Sequence, residues 1–211
     1  MLVRIAPRAG AGGQVGAPNA TPLAPAPPGA GPTPGASNGR APHHEPARGA
    51  PVRLRPGGLT DVPEVAGLIN GYAARGLMLP KTPGQLYRTL REFVIAEGED
   101  GRLLGCGALR IYDPGLAEVC SLAVVDAAHG VGVGRKVVEA LHREATAFGL
   151  ARVFALTLEP GFFHRLGYET VDRSGLPQKI EADCVGCPRR HACNEIAVVR
   201  TLAPDFPEEM Q

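Results

Sequence analysis

The sequence lacks an excess of charge of either sign. Lys and Arg number 22 and Asp and Glu 21, a formal net charge of +1 over 211 residues. That balance gives no electrostatic case for a nucleic acid or an anionic membrane as partner. Long apolar runs are missing too, and none approaches the ~18 residues that a membrane span needs. The opening stretch, MLVRIAPRAGAGGQ, has Val3 and Ile5 but nothing like the roughly 7–15 apolar residues of a secretory signal. A cytoplasmic protein is the expectation. Five cysteines, an odd number, and no signal argue against a disulfide framework. Large apolar groups are scarce over residues 1–51, where Pro, Ala and Gly dominate. Such a stretch cannot bury enough surface to offset its ordering entropy, so a disordered tail is expected there.

Apolar residues still make up 44% of the chain, enough for a core. Folded character begins at Val52, and 52–203 reads as one domain, with a short tail at 204–211. Val52–Arg55 is a strand candidate. Asp61 and Glu64 suggest a capping box for a helix whose apolar face is Val65, Leu68, Ile69 and Tyr72. Thr82, Pro83 and Gln85 open a second helix. Strands are predicted over Phe93–Glu97, Arg102–Tyr112 and Leu116–Val124. A helix follows over Arg135–Phe148, with Val137, Val138, Leu141, Ala145 and Phe148 on one side and Gly149 as its cap. Val153–Thr157 is a strand, Phe162–Leu166 a short helix, and Tyr168–Val171 and Glu195–Leu202 are strands. A meander followed by a strand–loop–helix–strand crossover is an α/β pattern with a mixed sheet.

The segment from Ser121 to Arg135 carries the most information. A strand runs into a loop, His129-Gly130-Val131-Gly132-Val133-Gly134-Arg135, that opens a helix. Glycines there leave backbone N–H groups unobstructed at a positive helix end, a ready anion site. A Walker loop would end in Gly-Lys-Ser/Thr, which Gly134-Arg135-Lys136 does not. A dinucleotide fingerprint belongs after an early first strand, whereas this loop comes late. A glycine-rich connector without a ligand is the remaining bland reading.

The loop resembles the acetyl-CoA diphosphate loop of the GNAT acetyltransferases, Gln/Arg-x-x-Gly-x-Gly/Ala, with His129 where Gln or Arg is usual. Arg152–Val171 (RVFALTLEPGFFHRLGYETV) resembles the last strand–helix–strand unit of that superfamily. Further stretches are similar to short single-domain N-acetylglutamate synthases: Tyr72–Lys81 (YAARGLMLPK), Ala117–Val124 (AEVCSLAV), Leu156–Tyr168, and Leu176–Lys179 with Asp183–Pro188. The resemblance implies the GNAT fold, a mixed, mostly antiparallel sheet flanked by helices. It implies acetyl-CoA as co-substrate and L-glutamate as acceptor, the first step of arginine biosynthesis. The ~160 foldable residues leave no room for the arginine-sensing, kinase-like domain of longer members. GNAT domains often pair, so a homodimer is compatible with the chain.

By resemblance, Leu122, Ala123 and Val124 would pair with the pantetheine arm, and residues 129–135 would hold the diphosphate. Phe163 stands where many members have a proton-donating Tyr and would contact the coenzyme without donating. Glu118 is the candidate base, because an amine that attacks a thioester must first lose a proton; a salt-bridged strand Glu is the alternative. His164 is the candidate acid toward the thiolate, against a surface or capping His. Arg75, Lys81 and Lys179 are candidate carboxylate ligands, with Arg88 and Arg110 outside the family-like segments.

Within a Cys-rich insertion at 183–194, Cys184, Cys187, His191 and Cys193 read C-x-x-C-x-x-x-H-x-C. A structural zinc site, an iron–sulfur centre, and reduced thiols without metal all stay open. Cys106 and Cys120 are strand residues expected to pack, Cys120 on the side of Glu118. Three functions are compatible: glutamate acetylation, acetylation of another small amine or a protein N-terminus, and an acyl-CoA- or metal-sensing module without turnover.

Overall fold

The computed structural model describes residues 51–202; the expected N-terminal tail and the tail at 204–211 lie outside them, apart from Pro51. In chain order the elements are β1 (Arg53–Pro56), α1 (Val62–Ala74), α2 (Pro83–Thr89), β2 (Phe93–Glu97), β3 (Leu103–Asp113) and β4 (Leu116–Val124). Then follow α3 (Val133–Ala147), β5 (Arg152–Thr157), α4 (Pro160–His164), β6 (Glu169–Val171), α5 (Pro177–Lys179) and β7 (Ile196–Thr201). The strands form one sheet in the order β1-β2-β3-β4-β5-β7-β6. Only β4 and β5 run parallel, and α3 is the crossover that parallel neighbours require. The mixed, mostly antiparallel sheet expected from the sequence is therefore present.

Two expected details differ. Asp61 does not cap α1 with its side chain. Its carboxylate instead accepts from the Arg55 guanidinium at 2.6 and 2.7 Å, a stronger charge-assisted partner. Phe148 is 62% exposed rather than on the buried stripe of α3, because it lies beyond the helix's last turn. The capping box of α2 forms as expected, Thr82 Oγ1 accepting from Gln85 N.

Helices cover both faces of the sheet. On one face, α3 packs Val133, Val137, Val138 and Leu141 on Ala117, Val119, Leu122 and Val124 of β4. On the other, α1 and α2 pack Val65, Ile69, Tyr72 and Leu86 on Cys106, Ala108, Cys120 and Ala123. The inward set on β4 thus changes phase, from 117 and 119 to 122 and 124. Strand side chains alternate with period two, so one extra residue must sit between them. It is Ser121, whose φ of 52° lies in the left-handed region. The register agrees: Cys106 pairs with Ala123 but Ala108 with Cys120, leaving two β4 residues opposite Gly107.

A buried polar triad joins α3 to β7. His142 is 7% exposed; Arg200 Nη1 donates to its Nδ1 (3.2 Å), so its Nε2–H donates to the Tyr168 hydroxyl (2.7 Å). Burial, and then the Arg200 charge, lower the His142 pKa to about 4. An unfolded chain takes up this proton near pH 6.5, so stability is full above 6.5 and falls as pH drops toward 4. The loss is about 3 kcal/mol at most. We expect thermal melts of His142→Gln to lose most of the wild-type pH dependence between 6.5 and 4; an unchanged dependence would assign it to other groups.

Candidate active site

The parallel ladder between β4 and β5 ends early. Its partners are Leu116–Arg152, Ala117–Val153 and Glu118–Phe154, and none follows. β5 continues to Thr157, but paired with β7 on its other side. Beyond Glu118 the ladder between β4 and β5 does not continue. A notch therefore opens in mid-sheet, on the strand already bent by the bulge at Ser121.

The glycine loop stands at the end of this notch. Gly130 and Gly132 have φ of 78° and 89°, a conformation that costs an L side chain about 1–2 kcal/mol. Gly132 is the N-cap of α3; no side chain caps the helix and no acidic residue sits in its first turn. Its first amides have no intrahelical partners, and they face an open, positive helix end. Of the residues expected here, Gly130, Val131, Gly132, Val133, Gly134 and Arg135 occupy the loop and first turn. The His129 ring turns inward instead. Tyr72 donates its hydroxyl proton to the Val124 carbonyl (2.7 Å), and His129 Nε2 lies 2.8 Å from that hydroxyl and 2.9 Å from that carbonyl. The side chain staples the loop to α1 and is not free for a diphosphate. Val124's carbonyl, with two donors on it, is not free for an added strand either.

Next to Arg110 and Lys179, the two neighbours of Glu118, lies a cavity of about 420 Å³. Lys81, Arg110, Arg173, Lys179 and Arg190 line it, against only Asp183 and Glu195 among acids. Most of these cations are engaged. Arg110 pairs with Glu92 (3.3 Å) and Asp183 (3.5 Å), and Arg173 donates to the Glu195 carbonyl (2.7 Å). Lys81 and Arg190 have no side-chain hydrogen bond or ion pair among the described residues. Asn70 holds the Lys81 backbone by two bonds, accepting from its N–H at 3.0 Å and donating to its carbonyl at 2.9 Å. Burial lowers the Lys81 ammonium pKa below its usual range.

Glu118 is fully buried on β4. Its Oε2 accepts from Lys179 Nζ (2.9 Å) and lies 3.0 Å from the Tyr112 hydroxyl, whose one proton goes to Asp183 Oδ2 at 2.5 Å; its Oε1 makes no hydrogen bond among the described residues. Lys179 also donates to Asp183 at 2.9 Å. Burial opposes the Lys179 charge, but Glu118 and then Asp183 outweigh it and raise its pKa. Burial also works against the Asp183 carboxylate, yet its bonds from Lys179 and Tyr112 bring its pKa down to about 2.

Residues 77–168, which span the notch and the loop, match the acetyltransferase (GNAT) family profile. An uncharacterized N-acetyltransferase of Chlorobaculum tepidum is 40% identical over 144 residues, 68% of this chain and 92% of the relative. The chain belongs to the GNAT acetyltransferase family. The enzyme class of a GNAT protein is acetyl transfer from acetyl-CoA to an amine. An amino-acid acetyltransferase of Mycobacterium tuberculosis is 37% identical over 115 residues, 54% of this chain and 66% of the relative. Among solved structures, N-acetylglutamate synthase from Neisseria gonorrhoeae, complexed with coenzyme A and N-acetyl-glutamate, superposes with a TM-score of 0.66 at 29% identity. The match covers 73% of this GNAT chain but 36% of that one.

Several expected site residues stand elsewhere. Arg75 lies outside the cavity, stacked on Tyr72 (4.4 Å) and paired with Asp126 (3.3 Å) just before the glycine loop. His164 is exposed and its Nε2 meets Thr170 Oγ1 at 2.9 Å, so it does not face the notch. Phe163 is fully buried, edge-on to Phe162 and Tyr168, and serves the core. Lys179 reaches the cavity, but its charge is spent on Glu118 and Asp183. Cys184, Cys187 and Cys193 line the cavity while His191 is exposed. No three His, Cys, Asp or Glu side chains among the described residues converge on one ion. Cys193 Sγ accepts instead from Arg173 (3.2 Å). Of the readings left open for this segment, a preassembled four-ligand set is not present among the described residues. No described helix is long and apolar enough to cross a membrane.

Proposed function

We propose that the chain transfers the acetyl group of acetyl-CoA to the α-amine of L-glutamate, which would place it at the first step of arginine biosynthesis. The observation that carries this reading is the cavity with five cations and two carboxylates, two of whose lining residues, Arg110 and Lys179, flank Glu118 of β4. The relatives named above support it. The chain spans most of the Chlorobaculum protein but 35% of an amino-acid acetyltransferase from Neisseria meningitidis, so the acceptor is assigned on the site's chemistry.

Acetyl-CoA supplies the activated thioester. The amides of α3 hold its diphosphate, with Arg75 and Arg135 nearby as cations, and the edge at Val119–Ala123 takes the pantetheine arm as an added strand. Glu118 Oε1 accepts the proton that the amine must lose. Lys81 and Arg190 receive the acceptor's carboxylates. A backbone N–H of β4 stabilises the oxyanion. With Phe163 unable to donate and His164 turned away, the thiolate leaves unassisted, as a thiol of pKa about 8.5 can.

A thiol-release assay with acetyl-CoA and a panel of amino acids, polyamines and a peptide N-terminus tests the reading. Glutamate-dependent release is expected. Release only with another amine would move the acceptor, and coenzyme binding without release would favour a sensing module. In the same assay Lys81→Met should raise KM for glutamate roughly 10- to 100-fold, the worth of one charge-assisted bond, with KM for acetyl-CoA unchanged. An unchanged glutamate KM would remove Lys81 from the acceptor site.

A further inference from the structure

We propose that Lys179 is a positioning residue for Glu118: anchored by Asp183 and Tyr112, it occupies one carboxylate oxygen and leaves the other as the sole proton acceptor. The inference rests on the reading of Glu118 as the base. It begins from an imbalance between the two oxygens of that carboxylate. Oε2 takes Lys179 Nζ, with the Tyr112 oxygen beside it giving its proton to Asp183, while the buried Oε1 takes nothing among the described residues. An unsatisfied buried acceptor is destabilising by about 1–3 kcal/mol. A site that keeps one holds it for a donor that arrives, here the N–H of the acceptor amine or a water that relays it.

Lys179 is fixed as few lysines are. It is 3% exposed, and its three ammonium donors have three acceptors: Glu118 Oε2 and Asp183 Oδ2 at 2.9 Å, and Tyr112 Oη at 3.2 Å. A buried ion pair is weak evidence for stability, since desolvation offsets most of the Coulomb gain. What such an arrangement does supply is orientation and a fixed ionisation state. During turnover the proton passes from the acceptor's ammonium to Oε1, leaving a neutral amine and a neutral carboxyl group; Lys179 keeps its own proton throughout.

The charged and titratable groups around Glu118 come from every neighbouring element. They are Lys179 and Asp183 from α5 and the turn after it, Tyr112 and Arg110 from β3, Cys120 from β4, Glu92 from the turn before β2, and Lys81 from the segment before α2. Of these, Lys179 and Asp183 bracket the base with opposite charges, and removing either has an opposite sign. Lys179→Met takes away the counter-cation, so the acid limb of the kcat/KM profile should move up by about one to three pH units. Activity should fall at pH values below the raised limb, where the base spends more of its time protonated, and be affected least well above it. Asp183→Asn removes a competing anion and should move the limb down, by about half a unit. Lys179→Arg restores the charge and should bring the limb back toward wild type.

The experiment is the pH dependence of kcat/KM for these three full-length variants, with coenzyme affinity by calorimetry as the control for folding. Opposite displacements by Lys179→Met and Asp183→Asn support the proposal. Limbs that stay in place, or that move in the same direction, overturn it in favour of a purely structural ion pair. If Lys179→Met does not fold, Asp183→Asn decides alone, because its carboxylate is on the open side of the pair; a limb that fails to move down overturns the proposal. A Glu118→Gln enzyme that keeps its rate would overturn the base reading itself, a separate outcome from unmoved limbs in the variants.

Discussion

Glu118→Gln should lower kcat about 10²- to 10⁴-fold while leaving the affinity for acetyl-CoA unchanged. The amide has the size of the carboxylate but cannot take a proton, and Glu118 is the one carboxylate seated on β4, where the ladder to β5 ends. The substitution has a second effect. Lys179 would keep a buried charge without its main partner, and breaking such a pair typically destabilises by about 3–5 kcal/mol. The measurement therefore combines single-turnover kinetics with a thermal melt and a coenzyme titration. A folded variant that binds the coenzyme and keeps its rate within fivefold would place the base elsewhere.

Gly132→Asp should weaken coenzyme binding by at least about 100-fold, near 2.7 kcal/mol, with little change in fold. Three effects act together. An L residue at φ 89° is strained by about 1–2 kcal/mol. A carboxylate at the N-cap bonds to the amides of the first turn, the groups assigned to the diphosphate. Its charge also repels that diphosphate across the few ångströms between them. The fold should survive, because a Cβ at Gly132 meets nothing within 4 Å. Isothermal titration with CoA checks the affinity, and Gly132→Ala separates strain from charge. An affinity within threefold of wild type would mean that the diphosphate sits elsewhere.

The fold was legible where a period repeated. α3 shows its stripe at Val137, Val138, Leu141 and Ala145, and β2, β3 and β4 stand between turn signals. The resemblance implies a bulge and a splayed edge in the strand before the glycine loop, but the residues do not show where the bulge falls. Ser121 carries no turn signature, and its phase change is hidden because β4 is buried along its whole length, so both registers look apolar. The site divides the same way. Glu118 and the glycine loop follow from local pattern and resemblance. Lys179 is 61 residues from Glu118, and Arg75 finds Asp126 51 residues away. Sequence spacing cannot show which cation has a partner, so Lys179 read as free and Arg75 as a substrate ligand. Tyr112 and Asp183, central to the network, looked like a strand end and the margin of a cysteine segment. The loop pattern offers His129 as a coenzyme ligand because its partner, the Tyr72 hydroxyl, comes from α1 and leaves no local trace. The cysteine spacing suited zinc, but geometry depends on where each turn points its side chain.

The notch also bears on how such a protein avoids sticking to its neighbours. A strand with unmatched N–H and C=O groups normally invites other polypeptides to add themselves. Here Val119–Val124 are at most 2% exposed although β5 has parted from them. The helices packed on both faces of the sheet cover this stretch, so the gap is closed off from above and below rather than offered as an open edge.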